Sequence, residues 1–321
     1  MSMTELAEAK SPAGDGPPPP GRAVEGRSPW ALAWARLSRD KVAIVCAIFI
    51  LLLVLVAVLA GPLSSLLGYG PIDQDRSTNG ITVDGLPVGP SGPHLLGTDN
   101  LGRDILVRIL YGTRVSLEVG ISAAVAAVLI GVVIGLCAGY FGPVVDTVLA
   151  RLMDVVLSFP FLLFAIALVT VVGPSEFIEV VVISFFSFAS VGRIVRGQTL
   201  SIREREYVEA ARSLGASDLR IMFVDVLPNL IAPVIVYTTL LIPTSIVFEA
   251  TLSFLGVGII PPTPSWGNML SDSQNYYQVA WWFLVFPCVA LVLTTLAFNL
   301  LGDSVRDALD PRSDRMFAAR K

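Results

Sequence analysis

The residue types that carry out ATP hydrolysis or metal chemistry are scarce in this chain. A P-loop needs a lysine directly after a glycine, because the lysine and the loop amides hold the phosphates together. The three lysines, Lys10, Lys41 and Lys321, each follow another residue type. His94 is the single histidine, no HExxH motif is present, and the three cysteines form no CxxC pair. The sequence therefore predicts no ATPase site, no catalytic residue, no metal site and no cofactor bound by this chain.

A few charged residues lie inside or beside apolar runs, where they are costly unless they face a cavity, a partner or the membrane interface. Glu249 lies near the end of the fifth run and Glu118 near the start of the second. Glu249 either lines or gates the outer part of a pathway, or makes a structural hydrogen bond near the membrane surface. Asp154 is predicted to form a local or interhelical ion pair beside Arg151.

The charged stretch at residues 201–230, SIREREYVEAARSLGASDLRIMFVDVLPNL, is too polar to cross a membrane and too well patterned for a random linker. Its pattern predicts a helix from Arg203 to Leu214 that ends at a left-handed Gly215. Ser217 is then predicted to cap a second short helix, which Pro228 stops. Such a helix pair suits docking into a groove on another protein. The alternative is a pair of helices lying on lipid headgroups.

The elements that position these residues are apolar segments long enough to cross a bilayer. Hydrophobic residues make up 54% of the 321 and charged residues 15%, with a mean hydropathy of +0.73. Soluble domains carry about 25% charged residues. A span needs about 20 apolar residues, and the candidates lie at about 42–63, 115–140, 147–172, 177–197, 231–256 and 280–302. The prediction is an all-α membrane protein with about six transmembrane helices. Glycines at helical spacing in the second run predict a close helix contact.

The distribution of basic residues predicts the orientation. Basic residues precede the first span, recur in the 201–230 loop and follow the last span, so both termini are predicted to be cytoplasmic. The predicted organisation is a disordered cytoplasmic tail at 1–40, a first transmembrane helix plus extracytoplasmic loop at 41–110, a transmembrane domain at 111–305 and a cytoplasmic tail at 306–321.

The 201–230 loop also contains a recognisable motif. Its residues are Glu209, Ala210, Ala211, Gly215, Leu227 and Pro228. The pattern resembles the EAA motif of permease subunits in binding-protein-dependent ABC importers. In that family the loop docks onto a cytoplasmic ATPase and transmits its closure to the membrane helices. The resemblance implies this coupling role for the six residues. Val224-Asp225 stands where relatives often have Arg-His, so the ATPase partner is not expected to be interchangeable.

Other stretches narrow the resemblance to the C-type permease of dipeptide and oligopeptide importers. They lie at 94–99, 102–104, 114–117, 252–256, 261–269, 301–303 and 310–312. The resemblance implies the type I ABC importer permease fold across residues 111–305. Asp99, Arg103 and Asp104 are candidate contacts for the binding protein, although ordinary turn chemistry also explains them. Trp266 is interpreted as an aromatic anchor at the membrane interface, with substrate stacking as the alternative.

The resemblance also implies an assembly in a bacterial inner (cytoplasmic) membrane. Its partners are a second homologous permease, two ABC ATPase subunits or domains that bind ATP and Mg, an extracytoplasmic peptide-binding protein and membrane lipid, with no nucleic acid. The chain then forms half of a passage for di- or oligopeptides. Import of nickel or glutathione by the same machinery is an alternative. A stand-alone secondary transporter is another, although internal repeats and charge pairs deep in the spans, typical of that class, are not seen.

Overall fold

The computed structural model describes residues 29–310, and within that range it contains helices and loops but no named strand. The helices are α1 (Pro29–Leu37), α2 (Lys41–Val58), α3 (Ala60–Leu67), α4 (Ile105–Tyr140), α5 (Pro143–Ser158), α6 (Phe161–Val172), α7 (Glu176–Arg203), α8 (Glu206–Ser213), α9 (Asp218–Arg220), α10 (Leu227–Phe254), α11 (Trp266–Ser273) and α12 (Trp281–Leu309). A π-helical segment, Ile221–Val226, joins α9 to α10.

Five helical stretches are long and apolar enough to cross a membrane, and the bent pair formed by α5 and α6 makes a sixth if it counts as one span. The five are α2, α4, α7, the run Asp218–Phe254 and α12. The prediction of about six transmembrane helices is confirmed. The second span begins earlier than expected, because Asp104 caps α4 by accepting a hydrogen bond from the Val107 amide at 2.9 Å.

The third predicted span is not a single straight helix. Its two halves, α5 and α6, meet at an angle of 85°. Pro160 follows the end of α5, and a proline disfavours helical backbone at the residue before it. Phe159 accordingly has extended torsions, φ −85° and ψ 135°. The apolar composition continues through the break, so hydropathy alone does not show it.

The two central helices, α4 and α7, pack closely through glycines, as predicted. A Cβ added at Gly135 would lie 2.5 Å from the Gly192 carbonyl oxygen, and one at Gly139 would lie 2.5 Å from the Thr199 Cβ. Real side chains do not tolerate such distances, so the backbones can approach only because these positions are glycine. From the other side, Met153 of α5 packs against Gly192.

The described ends of the chain lie together. Residues 29–37, assigned from sequence to a disordered tail, form α1 instead, and the preceding part of that predicted tail lies outside the described residues. Arg36 donates hydrogen bonds to the Ala308 and Asp310 carbonyl oxygens at 3.2 and 3.1 Å. This contact agrees with both ends being on one side of the membrane. Which side that is remains a prediction.

The glycine contact yields a stability prediction. We expect Gly135→Ala to lower the melting temperature of the purified chain in detergent, because overpacking of this kind costs about 1–3 kcal/mol. Gly197→Ala on α7 is the matched control, since a Cβ there meets no atom within 4 Å. Equal melting temperatures for the two variants would contradict the close approach of α4 and α7.

Candidate functional site

The first half of the 201–230 loop has the predicted shape. Helix α8 is followed by Gly215 in the left-handed region, with φ +81°. The Ala216 amide donates to the Ala211 carbonyl oxygen at 3.1 Å across this turn. The helix begins at Glu206 rather than at Arg203, because α7 extends to Arg203 and the chain turns between them.

The second half differs from the prediction in two ways. The Ser217 side chain makes no capping hydrogen bond, and Pro228 does not stop a helix. Pro228 lies in the first turn of α10, where a missing N–H is tolerated. The preceding π segment lets the Leu227 amide reach back to the Met222 carbonyl oxygen. Residues Asp218–Phe254 therefore form one continuous helical run from the loop into a membrane span.

The loop is held against the ends of α4 and α7 by a buried apolar cluster. Val208, Ile221 and Met222 are buried there beside residues of both helices. The Tyr140 hydroxyl at the end of α4 donates to Asp218 at 2.8 Å, and Arg203 donates to the Tyr140 carbonyl oxygen at 3.0 Å. The loop therefore has a fixed position relative to the bundle.

The opposite side of the loop is exposed and partly apolar. Glu209, Ala210, Gly215 and Pro228 are exposed, whereas Ala211 and Leu227 are half-buried against the cluster. Leu214 is 89% exposed, Leu219 61% and Phe223 58%. These apolar residues extend the exposed surface next to Glu209.

The three residues predicted to contact a binding protein are instead buried in the loop that joins α3 to α4, the α3–α4 loop (residues 68–104). Asp99, Arg103 and Asp104 are 0%, 4% and 4% exposed. The Asp99 carboxylate accepts from the Leu101 amide at 2.8 Å and from Arg103 Nε at 2.5 Å. Their side chains hold the loop together, so any contact with another protein involves the surface that they shape. That contact stays a prediction.

Two residues that sequence analysis missed join this loop to the helices. Arg108 in the first turn of α4 places its Nε 3.4 Å from the Asp99 carboxylate. Asp272 on α11 lies 3.4 Å from the Arg103 guanidinium. Burial raises the pKa of the Asp272 carboxyl, while Arg108 and Arg103 act in the opposite direction. Asp272 is far from the other three residues in sequence, so only the fold shows that it meets them.

His94 joins two distant parts of the α3–α4 loop beside the start of α4. Its ring is buried, with Nδ1 2.8 Å from the Asp104 carboxylate and Nε2 3.4 Å from that of Asp75. The Ser77 side chain and amide donate to Asp75, and these hydrogen bonds are the main reason that the pKa of Asp75 is lowered. The single histidine therefore has a structural environment, with Asp104 also capping α4.

Glu249 is completely buried near the end of α10. Its carboxylate accepts a hydrogen bond from the Ser253 hydroxyl at 3.0 Å, and the same hydroxyl accepts from the Ile259 amide at 2.9 Å. This geometry favours the structural interpretation of Glu249 over a pathway-lining one. Glu179 on α7, missed by the sequence analysis, is buried nearby. A glutamate within the apolar run EFIEVVVISFF was the available signal.

The structure also places Asp154, Trp266 and Glu118. Asp154 pairs locally with Arg151 at 3.6 Å and across helices with Arg193 at 2.8 Å, as predicted. Trp266 is not an interface anchor, because it is completely buried and its amide lies 3.4 Å from the Ser116 hydroxyl of α4. Glu118 is exposed beside Arg114.

Known proteins share both the fold and the sequence pattern. Part of the fold resembles an inward-facing structure of the MetNI methionine ABC transporter, with a TM-score of 0.54 and 17% sequence identity. The match covers 63% of this chain and 96% of that chain. The chain is 40% identical to the dipeptide transport system permease protein DppC of Alkalihalophilus pseudofirmus, over 92% of this chain and 94% of that protein. It is 42% identical to the glutathione transport system permease protein GsiD of Pectobacterium atrosepticum, over 89% of this chain and 92% of that protein.

Two family models agree with these relatives. Residues 28–82 match the N-terminal transmembrane domain of oligopeptide transport permease C. Residues 131–315 match the model of the inner membrane component of binding-protein-dependent transport systems. The second match covers more than half of the chain and includes the 201–230 loop. The predicted resemblance is confirmed: the chain belongs to the family of inner membrane components of binding-protein-dependent transport systems.

Proposed function

We propose that this chain forms half of the passage of an ATP-driven importer for short peptides, and that its 201–230 loop docks onto an ATPase subunit. The observation that carries the proposal is the continuous helical run from Asp218 to Phe254, which joins the exposed loop to a membrane span. A push on the exposed loop is transmitted along a helix with no intervening flexible linker.

The exposed surface of the loop suits a protein partner. It combines the exposed Glu209 with the apolar side chains of Leu214, Leu219 and Phe223. An apolar centre with a charged rim is typical of protein interfaces. The contacts of Tyr140 and Arg203 hold this surface from behind, so a docked partner meets a preformed shape.

The proposed assembly follows from what the chain supplies. ATP and Mg are bound by two partner ATPase subunits or domains, and this chain carries out no hydrolysis of its own. A second homologous permease completes the passage, because alternating access needs two bundles that move against each other. A binding protein delivers the solute at the α3–α4 loop, and the assembly lies in a bacterial inner membrane with both termini cytoplasmic.

A short peptide is the proposed solute class. One relative is named for dipeptides and the other for glutathione, which is itself a tripeptide, and their identities to this chain are nearly equal. Glutathione is therefore the second candidate within the same class. Nickel transport and stand-alone transport stay alternatives, and a complex lacking ATPase subunits would favour the latter.

The docking proposal is tested at Gly215. We expect Gly215→Val to weaken copurification of the ATPase subunits and to lower ATP-driven uptake about tenfold or more, the effect of losing about 1.4 kcal/mol of docking free energy. The reason is that valine disfavours the left-handed backbone on which the exposed turn depends. Uptake into cells and copurification of the tagged complex are the measurements.

Gly68→Val is the matched control, since Gly68 has a similar φ of +78° and also ends a helix, α3, with open space around it. It should reduce copurification of the ATPase much less. If Gly215→Val retains both uptake and the ATPase subunits, the docking role of the loop is wrong.

The α3–α4 loop gives a second prediction. Arg103→Ala leaves the buried Asp99 carboxylate without its closest partner, and breaking a buried pair costs about 3–5 kcal/mol. We expect faster proteolysis of this loop and weaker binding of the solute-loaded binding protein. Arg114→Ala is the control, because the exposed Arg114–Glu118 pair, at 3.9 Å, contributes little. Indistinguishable proteolysis rates for the two variants would overturn this account of the loop.

A further inference from the structure

The bend between α5 and α6 coincides with a cavity of about 400 Å³. Its walls come from both halves of the bent pair, from α7 and from α10. Irregular backbone at membrane depth is tolerated only where it is covered by protein or lines a water-filled cavity. The extended backbone at Phe159 and the cavity beside it are thus two separate observations at one place.

One set of cavity walls is aromatic. Phe161 lies at the start of α6, with its ring centroid 4.2 Å from that of Phe248 on α10 and 5.4 Å from that of Phe186 on α7. These contacts link the three helices around the cavity. Aromatic faces accept apolar side chains of varied shape without requiring one particular hydrogen-bond pattern.

The remaining polarity of the cavity comes from hydroxyl groups. Ser190 on α7 and Tyr237 and Thr244 on α10 contribute to the lining. A hydroxyl can donate or accept a hydrogen bond as its rotor allows. Peptide backbone presents one donor and one acceptor at nearly every residue. The lining contains no aspartate, glutamate, lysine or arginine.

Charged groups occur on α5 and α7, farther along these helices from the uncharged cavity. A second cavity of about 330 Å³ between α5 and α7 is lined by the Arg196–Asp146 and Arg193–Asp154 pairs. Arg193 follows Ser190 by three residues, so the two lie on the same side of α7. The charged pairs therefore lie nearer than the uncharged cavity to the predicted cytoplasmic ends of α5 and α7.

We propose that the uncharged cavity is the place where this chain contacts a peptide in transit, through backbone amides and apolar side chains rather than through charge. The inference rests on the proposed function and specifies its passage. A pathway site must bind its solute weakly enough to release it. Fixed charges would retain peptides of opposite charge and exclude those of like charge, whereas hydroxyls and rings treat both alike.

The test uses the complete importer in membrane vesicles, in a background where Cys46, Cys137 and Cys288 are replaced by serine or alanine. Ser190→Cys and Thr244→Cys introduce single thiols into the cavity, and Leu129→Cys on an exposed part of α4 is the control. A charged, membrane-impermeant thiosulfonate is the probe. We expect labelling of the two cavity thiols and loss of that labelling when ATP and saturating peptide-loaded binding protein are present. Leu129→Cys should stay unlabelled, because it lies on the exposed side of an apolar span that a charged reagent does not enter.

Two results would overturn the inference: no labelling of the cavity thiols in any nucleotide state, or labelling that peptide does not change. Failure of the proposed function is separately visible, because the unmodified complex would then lack ATPase subunits or ATP-driven uptake.

A second variant tests the absence of charge selectivity. Thr244→Asp places a carboxylate in the lining, and we expect the ratio of lysine-containing to glutamate-containing peptide uptake to rise. The ratio within each variant cancels differences in expression. An unchanged ratio in a variant that still transports would contradict contact between peptide and this wall.

Discussion

The close contact between α4 and α7 is the constraint on which the other features depend. Glycines at 131, 135 and 139 of α4 let the two backbones approach to distances that a Cβ would prevent. Helix α5 packs on the same seam through Met153. Both helices then extend to the 201–230 loop, where Tyr140 and Arg203 meet. The loop is positioned by the same helix pair that forms the centre of the bundle.

Helix α10 connects the remaining functional parts. The continuous helical run that contains α10 begins in the loop at Asp218 and lines the cavity with Tyr237 and Thr244. It contains the buried Glu249 near its end at Phe254. Pro233 and Pro243 lie inside this helix. Prolines are common sites of helix bending, since they remove a backbone hydrogen bond. A movement at the loop can therefore reach the cavity wall through a single covalently continuous element that contains places to bend.

Sequence patterns predicted the features that depend on neighbouring residues. Apolar length predicted the spans, and Gly215 predicted the left-handed turn, because both are local properties. The α5–α6 bend was missed because Pro160 stands in an unbroken apolar run. Pro228 was misassigned because the π segment before it has no marked composition. The meeting of Asp272 with Arg103 and Arg108, and the burial of Trp266, depend on packing between distant segments, which one sequence does not display.

The distribution of polar groups gives Glu249 a specific place in this arrangement. Its neighbour Phe248 lines the cavity, whereas Glu249 turns inward to the Ser253 hydroxyl. Adjacent helical residues point in directions about 100° apart, so these two side chains cannot share one face. The Ser253 hydroxyl belongs to the same helix, and through the Ile259 amide it ties this turn to the segment that follows α10. On the other face, the Phe248 ring contacts Phe161 at the start of α6. The acidic group is thus enclosed within the chain while the neighbouring ring contributes to an uncharged wall.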